Sequence, residues 1–267
     1  MRKRFKILIA MCVALVVVAV VAYFRVQPRS LADAVDEGTL RVVTNYDTRH
    51  FVVTDCDTSG FQYELMRAFA HHMGLQMQFT IEADLNKNIE GLNAGDYDVV
   101  MKLLPTTTEL KDEVALSMPI AKDNLVLVQR RPKRGENLKL LSNVADLDGK
   151  VVFLPSGSPD ALVLRHIEEE LGIDLKIEYL PDIDSEHLLA MVATGQLLYA
   201  TADAGTFRAV KAYYPTLDGE TILGFDQWRA WAFSEKNIEL RNSFDDWFAD
   251  YRCSAEYENL FQQYFGK

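Results

Sequence analysis

The segment Pro155-Ser156-Gly157-Ser158-Pro159-Asp160 carries the residue types that build a binding turn. Ser158 fits a helix N-cap, Pro159 the first helical position, and Asp160 the positive end of the helix dipole. N–H groups at such a helix start can receive an anion, with ordinary capping as the competing role. A second candidate is the carboxylate of Asp203, which ends the apolar run from Leu197. Nucleophilic chemistry is not indicated, because Ser156-Gly157-Ser158 lacks the flanking glycines of a GxSxG elbow. No CxxC or zinc-like Cys/His spacing occurs, and adjacent His71 and His72 on one helix diverge, so no metal or cofactor is expected.

These residues sit in a repeating pattern of helices and strands. Leu40 to Thr44 reads as a strand, and apolar residues at 61, 65, 66, 69 and 73 give a helix closed by Gly74. Leu75, Met77, Phe79 and Ile81 alternate as in a half-buried strand. Asn88 to Met101 and Glu186 to Asp203 then repeat one theme, a helix, a glycine stop and an apolar strand, with Ser185 placed to cap the second helix. Leu125 to Gln129 and Val151 to Leu154 read as further strands, and Leu162 to Leu171 as an amphipathic helix ended by Gly172. Such alternation predicts an α/β protein whose mixed sheets are covered on both faces. Two similar lobes around a cleft are the simplest use of the repeat. The stretch Trp228 to Phe233 is expected as an edge strand returning to the first lobe.

Composition narrows the setting. The chain has 267 residues and is 49% hydrophobic, ordinary for a packed protein. Residues 1–30 read as a basic cytoplasmic tip and an apolar run, Ile7 to Phe24, reaching roughly 27 Å as a helix and so able to span a bilayer core. The basic side should stay in the cytoplasm, which exports the rest. An uncleaved inner-membrane anchor fits this length better than a signal peptide cut after Val20-Val21-Ala22. Six of the 28 basic side chains lie in the first thirty residues, leaving 22 against 39 acidic ones, a net charge of −17. Nucleic acid is therefore not an expected partner. Cys56 and Cys253 are both exported, where an oxidising compartment permits a disulfide, although two unpaired thiols fit the sequence equally.

The order and spacing of Gly38-Thr39-Leu40-Arg41-Val42, Gly60-Phe61 through Gly74, Gly95-Asp96-Tyr97-Asp98-Val99, Thr107-Thr108-Glu109, Asp148-Gly149-Lys150-Val151 and Ala202-Asp203 resemble the family 3 extracellular solute-binding proteins over residues 38 to 266. Gly60 to Leu65 and Tyr213 to Leu217, followed by Trp228 to Trp231, are most similar to the non-catalytic regulatory module of membrane-bound lytic transglycosylase F. The resemblance implies a two-lobed, type II periplasmic-binding-protein-like fold, with lobe 1 from 38–127 and 226–267 and lobe 2 from 128–225. A small ligand, amino-acid-like, a peptide or a cell-wall fragment, would bind between the lobes. Within that frame Asp203 matches an ammonium-binding position or caps a helix. Ser156, Gly157 and Ser158 match an anion-facing turn. Tyr46 and Phe51 match an aromatic wall, with core packing as the competitor for Phe51, and Thr106 and Thr107 fall at the cleft.

One departure stands out: the family pattern Thr-Pro-Glu-Arg is here Thr107-Thr108-Glu109-Leu110, so the carboxylate-binding arginine is missing. Leucine cannot replace a bidentate guanidinium. The expected function is a membrane-anchored, periplasmic solute receptor or regulator, with a permease or a cell-wall enzyme as a protein partner. The competing functions are a degenerate fold serving protein interaction and a dehydratase-like enzyme on the same scaffold. Transglycosylase activity would need a separate catalytic domain, which is not expected in a chain ending at Gly266-Lys267.

Overall fold

The computed structural model describes residues 29–265 apart from 48, 55, 56 and 182, and the side chains of 225–227 are also left aside. The N-terminal apolar run and Cys56 thus lie outside the described residues. Among the described residues no helix is long and apolar enough to cross a membrane.

The chain starts with helix α1 (Leu31–Glu37), strand β1 (Thr39–Thr44) and the short pair β2 (Val52–Val53) and β3 (Thr58–Ser59). Helix α2 (Phe61–Met73), β4 (Gln76–Ile81), α3 (Leu85–Ala94), β5 (Val99–Pro105), α4 (Thr108–Lys111) and β6 (Ala115–Leu116) follow. The second half holds β7 (Ala121–Arg130), β8 (Val151–Pro155), α5 (Asp160–Leu171), β9 (Lys176–Leu180), α6 (Ser185–Thr194), β10 (Tyr199–Asp203) and α7 (Ala204–Tyr213). The long β11 (Leu217–Phe233) then leads to α8 (Ile238–Tyr251) and α9 (Ala255–Phe265). The glycine stops expected at 74, 95, 172 and 195 all close their helices in the left-handed region.

One curled nine-stranded sheet runs β4-β1-β5-β11-β7-β10-β8-β9, with β6 also on β11. Strands β1, β4 and β5 are parallel, as are β8, β9 and β10. Antiparallel β7 and β11 join the two sets. Alternation sends neighbouring side chains to opposite faces: Val42 packs with Phe61, Phe69 and Trp231, whereas Val43 packs with Leu92, Leu104 and Leu110. In the other half Leu125 and Leu127 face one core while Val126 and Val128 face the other.

Three local expectations change. The segment Trp228 to Phe233 lies inside the sheet, between β5 and β7, rather than at an edge. Its residues Ala230, Trp231, Ala232 and Phe233 are all fully buried, as an apolar run covered on both faces requires. The cap of α6 is Asp184, whose Oδ1 accepts the His187 N–H at 2.7 Å, rather than Ser185. Helix α5 starts one residue later than expected, after Pro159, while the Ser158 hydroxyl accepts the Asp160 N–H at 3.3 Å.

Candidate functional site

Parallel strands present their carboxyl ends together, and both sets do so toward one crevice. From the first set come the loops after Thr44, Ile81 and Pro105; from the second come those after Pro155 and Asp203. In open α/β sheets, ligands bind outside the carboxyl ends of the strands.

The described residues of the loop after β1 are tied together by hydrogen bonds. Asp47 Oδ1 accepts the N–H groups of Arg49 and His50 at 2.9 Å each, and Asp47 and Phe51 exchange backbone hydrogen bonds. Gly60 follows this loop because a Cβ there would sit 2.4 Å from the His50 carbonyl. The loop 82–84 is pinned from below by Lys102, whose buried Nζ donates to the carbonyls of Glu82 and Ala83 at 2.9 Å each. Burial lowers the Lys102 pKa to about 8, which the charges of Glu82 and Asp84 only partly oppose.

Three of the contacts between the two sides bear on the crevice. The Arg49 guanidinium lies 4.0 Å from Asp203 Oδ1, and Arg229 lies 3.4 Å from Asp160. The third is steric: a Cβ on Gly157 would fall 2.4 Å from Asp84 Cα and 2.7 Å from the Ala83 carbonyl oxygen. Gly157 also has φ +72, a left-handed conformation that costs other residues about 1–2 kcal/mol. Gly157→Ala is therefore expected to wedge the two sides apart. Small-angle scattering checks this as an increase in the radius of gyration; an unchanged radius would mean that the contact yields without opening the crevice.

Carboxylates dominate the crevice. Burial and the neighbouring Asp203 charge raise Asp123 to about 6, against the lowering effects of the Asn124 N–H and Arg229. Burial alone would raise Asp203, but hydrogen bonds from Thr206 and the nearby His50 and Arg49 outweigh it and leave its pKa low. Asp160 is raised by burial despite Arg229. Burial lowers His50, and its Nδ1 has no hydrogen-bond partner among the described residues.

The structure sorts the sequence candidates. Asp203 both caps α7, accepting the Thr206 N–H at 2.8 Å, and faces Arg49. The turn at Ser156, Gly157 and Ser158 reaches the crevice, with two of its three N–H groups already engaged. The Ser156 N–H donates to the Leu180 carbonyl at 2.9 Å and the Ser158 N–H to that of Pro155 at 3.1 Å. Phe51 is 2% exposed and packs with Phe79 and Tyr63, so it belongs to the core; Tyr46 is exposed and stacks on it. Thr107 caps the short α4. Thr106 lines an open groove of about 680 Å³ with Lys111, Ser117, Trp228 and Arg241, apart from Asp203 and the 156–158 turn. Leu110 is 2% exposed among Val43, Leu92 and Val114. Cys253 is an exposed free thiol, and its pairing with Cys56 falls outside the described residues.

Arg49, Asp123, Lys102 and Arg229 were not among the candidates, and Asp160 stood there only as the residue at the positive end of the helix dipole. Arg229 stands in a stretch already singled out and Arg49 between Tyr46 and Phe51, yet nothing in their spacing marks them. Their roles arise from opposition across the crevice.

The profile of the bacterial extracellular solute-binding proteins, family 3, matches residues 40–267. A protein of Shewanella woodyi, membrane-bound lytic murein transglycosylase F, is 30% identical over 211 residues, covering 77% of this chain and 42% of its own length. Its namesake 1 from Alkalilimnicola ehrlichii is 28% identical over 240 residues, covering 88% and 47%. The chain thus spans a little under half the length of these relatives, and the matched part is their solute-binding-like module. Among solved structures, a solute receptor for L-cysteine of Neisseria gonorrhoeae superposes with a TM-score of 0.74 at 17% identity, over 89% of this chain and 94% of its own. A mutant arginine-binding protein from T. maritima gives 0.72 at 22%, over 88% and 100%. These likenesses establish the two-lobed binding-protein fold.

Proposed function

From the premise that the chain belongs to the bacterial extracellular solute-binding proteins, family 3, we propose that it binds a small solute in the crevice between its lobes. The observation that carries this reading is the meeting of strand carboxyl ends from both sides around Arg49, Asp203, Asp160 and Arg229. Amino acids come first as candidates, since the structural neighbours include receptors for L-cysteine and arginine. Peptides and cell-wall fragments come next, because the relatives are named for murein cleavage. We divide the lobes at 38–127 with 226–267 and at 128–225, joined through β7 and β11. The apolar run Ile7 to Phe24 would hold the domain at the outer face of the inner membrane, where a permease or a murein enzyme would read its state.

A thermal-shift screen with L-amino acids, short peptides and muropeptides tests the reading. A solute at about one hundred times its Kd stabilises the native state by about 2.7 kcal/mol, which for this size raises Tm by roughly 5 to 11 °C. No shift with any class would remove solute binding and favour a protein-interaction role. For a solute with an ammonium group, Asp203→Asn keeps the helix cap but removes the charge, and affinity is expected to fall about tenfold or more. Unchanged affinity would take Asp203 out of the site.

A second reading has one observation behind it. Asp123, raised to about 6 beside Asp203, keeps its proton up to mildly acidic pH, the direction of shift that a general acid needs. One structural neighbour is an ancestral amino-acid-binding protein described as a precursor of cyclohexadienyl dehydratase. Turnover of a cyclohexadienyl acid, abolished in Asp123→Asn, would carry that reading.

A further inference from the structure

Arg49 holds its guanidinium in the crevice without a single side-chain hydrogen bond among the described residues. Among the described residues the charged group meets Asp203 Oδ1 at 4.0 Å and the face of the Phe265 ring at 5.7 Å. The first is longer than an N–H···O hydrogen bond, and the second leaves all five N–H donors open. The side chain is 19% exposed, so water serves these donors only in part. A partly exposed guanidinium with no acceptor bonded to it can exchange its water for the carboxylate of a solute.

The surroundings shape the seat from both sides. Behind it, the Arg49 N–H is held by Asp47, and the Arg49 carbonyl accepts the Phe61 N–H at 2.9 Å, so the side chain leaves a fixed backbone. Opposite, Gly205 lacks the Cβ that would stand 1.8 Å from Arg49 Nη1, so this helix start admits the guanidinium. The other cations of the crevice are engaged: Lys102 with two carbonyls and Arg229 with Asp160. Asp203 accepts the Thr206 N–H through Oδ1.

We propose that Arg49 is the specificity-determining residue of the crevice, gripping the carboxylate of an acidic or zwitterionic solute through its open N–H edge, beside Asp203. A planar guanidinium suits a carboxylate bidentately, and an ammonium on the same solute would meet Asp203 next to it. The inference rests on the solute-binding reading above. It places the arginine in the loop after the first strand instead of at position 110.

The probes are the L-amino acids and amino- and carboxyl-terminal forms of short peptides, each tried as the free acid and as its carboxamide. With the native protein, each acid that binds is expected to lose about ten- to a hundredfold in affinity when amidated. In Arg49→Gln the acid is expected to weaken by a similar factor, and the preference for acid over amide to fall to about one. Gly205→Ala keeps every charge while displacing the guanidinium, and it is expected to weaken the acid without lowering Tm. Equal binding of acid and amide to the native protein, or a preference that survives Arg49→Gln, overturns the assignment of Arg49 while leaving solute binding intact. Failure of every probe to bind overturns the assignment of Arg49, and failure of muropeptides as well overturns the solute-binding reading.

Discussion

Asp98→Ala is expected to destabilise the protein by about 3 to 5 kcal/mol, the range for removing one partner of a buried ion pair. The Asp98 side chain is 1% exposed, and its Oδ2 lies 2.7 Å from Arg29 Nη1, itself on a side chain 7% exposed. The same oxygen accepts the Arg41 N–H at 2.8 Å, while Oδ1 lies 3.2 Å from Arg41 Nη2. One carboxylate therefore ties the start of the described chain and β1 to the approach of β5. Its removal leaves Arg29 with the two oxygens of Thr39, the Asp33 carbonyl at 3.4 Å and Glu37, which is largely in water. Urea unfolding should show a lower midpoint with little change in slope. Asp98→Asn, which retains an acceptor, should lose less; equal stability of the alanine variant and the native protein would mean that water replaces the carboxylate.

Leu110→Arg is expected to be nearly as damaging, at roughly 3 kcal/mol or more, although it restores the residue of the family pattern. The side chain at 110 lies in an apolar cluster with Leu85, Ile89, Leu92 and Leu104. Arginine there loses the burial of leucine and places a cation among groups that offer it no acceptor. The substitution is also expected to add no affinity for carboxylates, because the position faces the core. Thermal melting and amino-acid titration of one preparation test both halves of the statement. A stable variant with new carboxylate affinity would show that position 110 can turn into the crevice.

Both expectations depend on burial, and burial was only partly legible beforehand. The helices and strands were readable because their signals are local: apolar residues at 61, 65, 66 and 69 recur on one helical face, and a glycine ends each of four helices. The central place of β11 also left a trace, since Ala230 to Phe233 is an uninterrupted apolar run, although it was read as an edge. Asp203 was legible as a carboxylate at a strand end. Whether it caps a helix or faces the crevice was not, and it does both.

The chain's pattern of period, cap and glycine was sufficient for the α/β class and the paired lobes, and the order and spacing of its motifs carried the resemblance to the family. It could also show that the usual arginine is absent at 110. It could not show where a replacement stands, because Arg49 gains its role only when the loop after β1 meets the start of α7 across the crevice. Nor could it show that the N–H groups of Ser156 and Ser158 already have carbonyl partners. Secondary structure follows from contacts a few residues apart, whereas a binding site is set by which donors and charges remain unpaired after distant segments have packed.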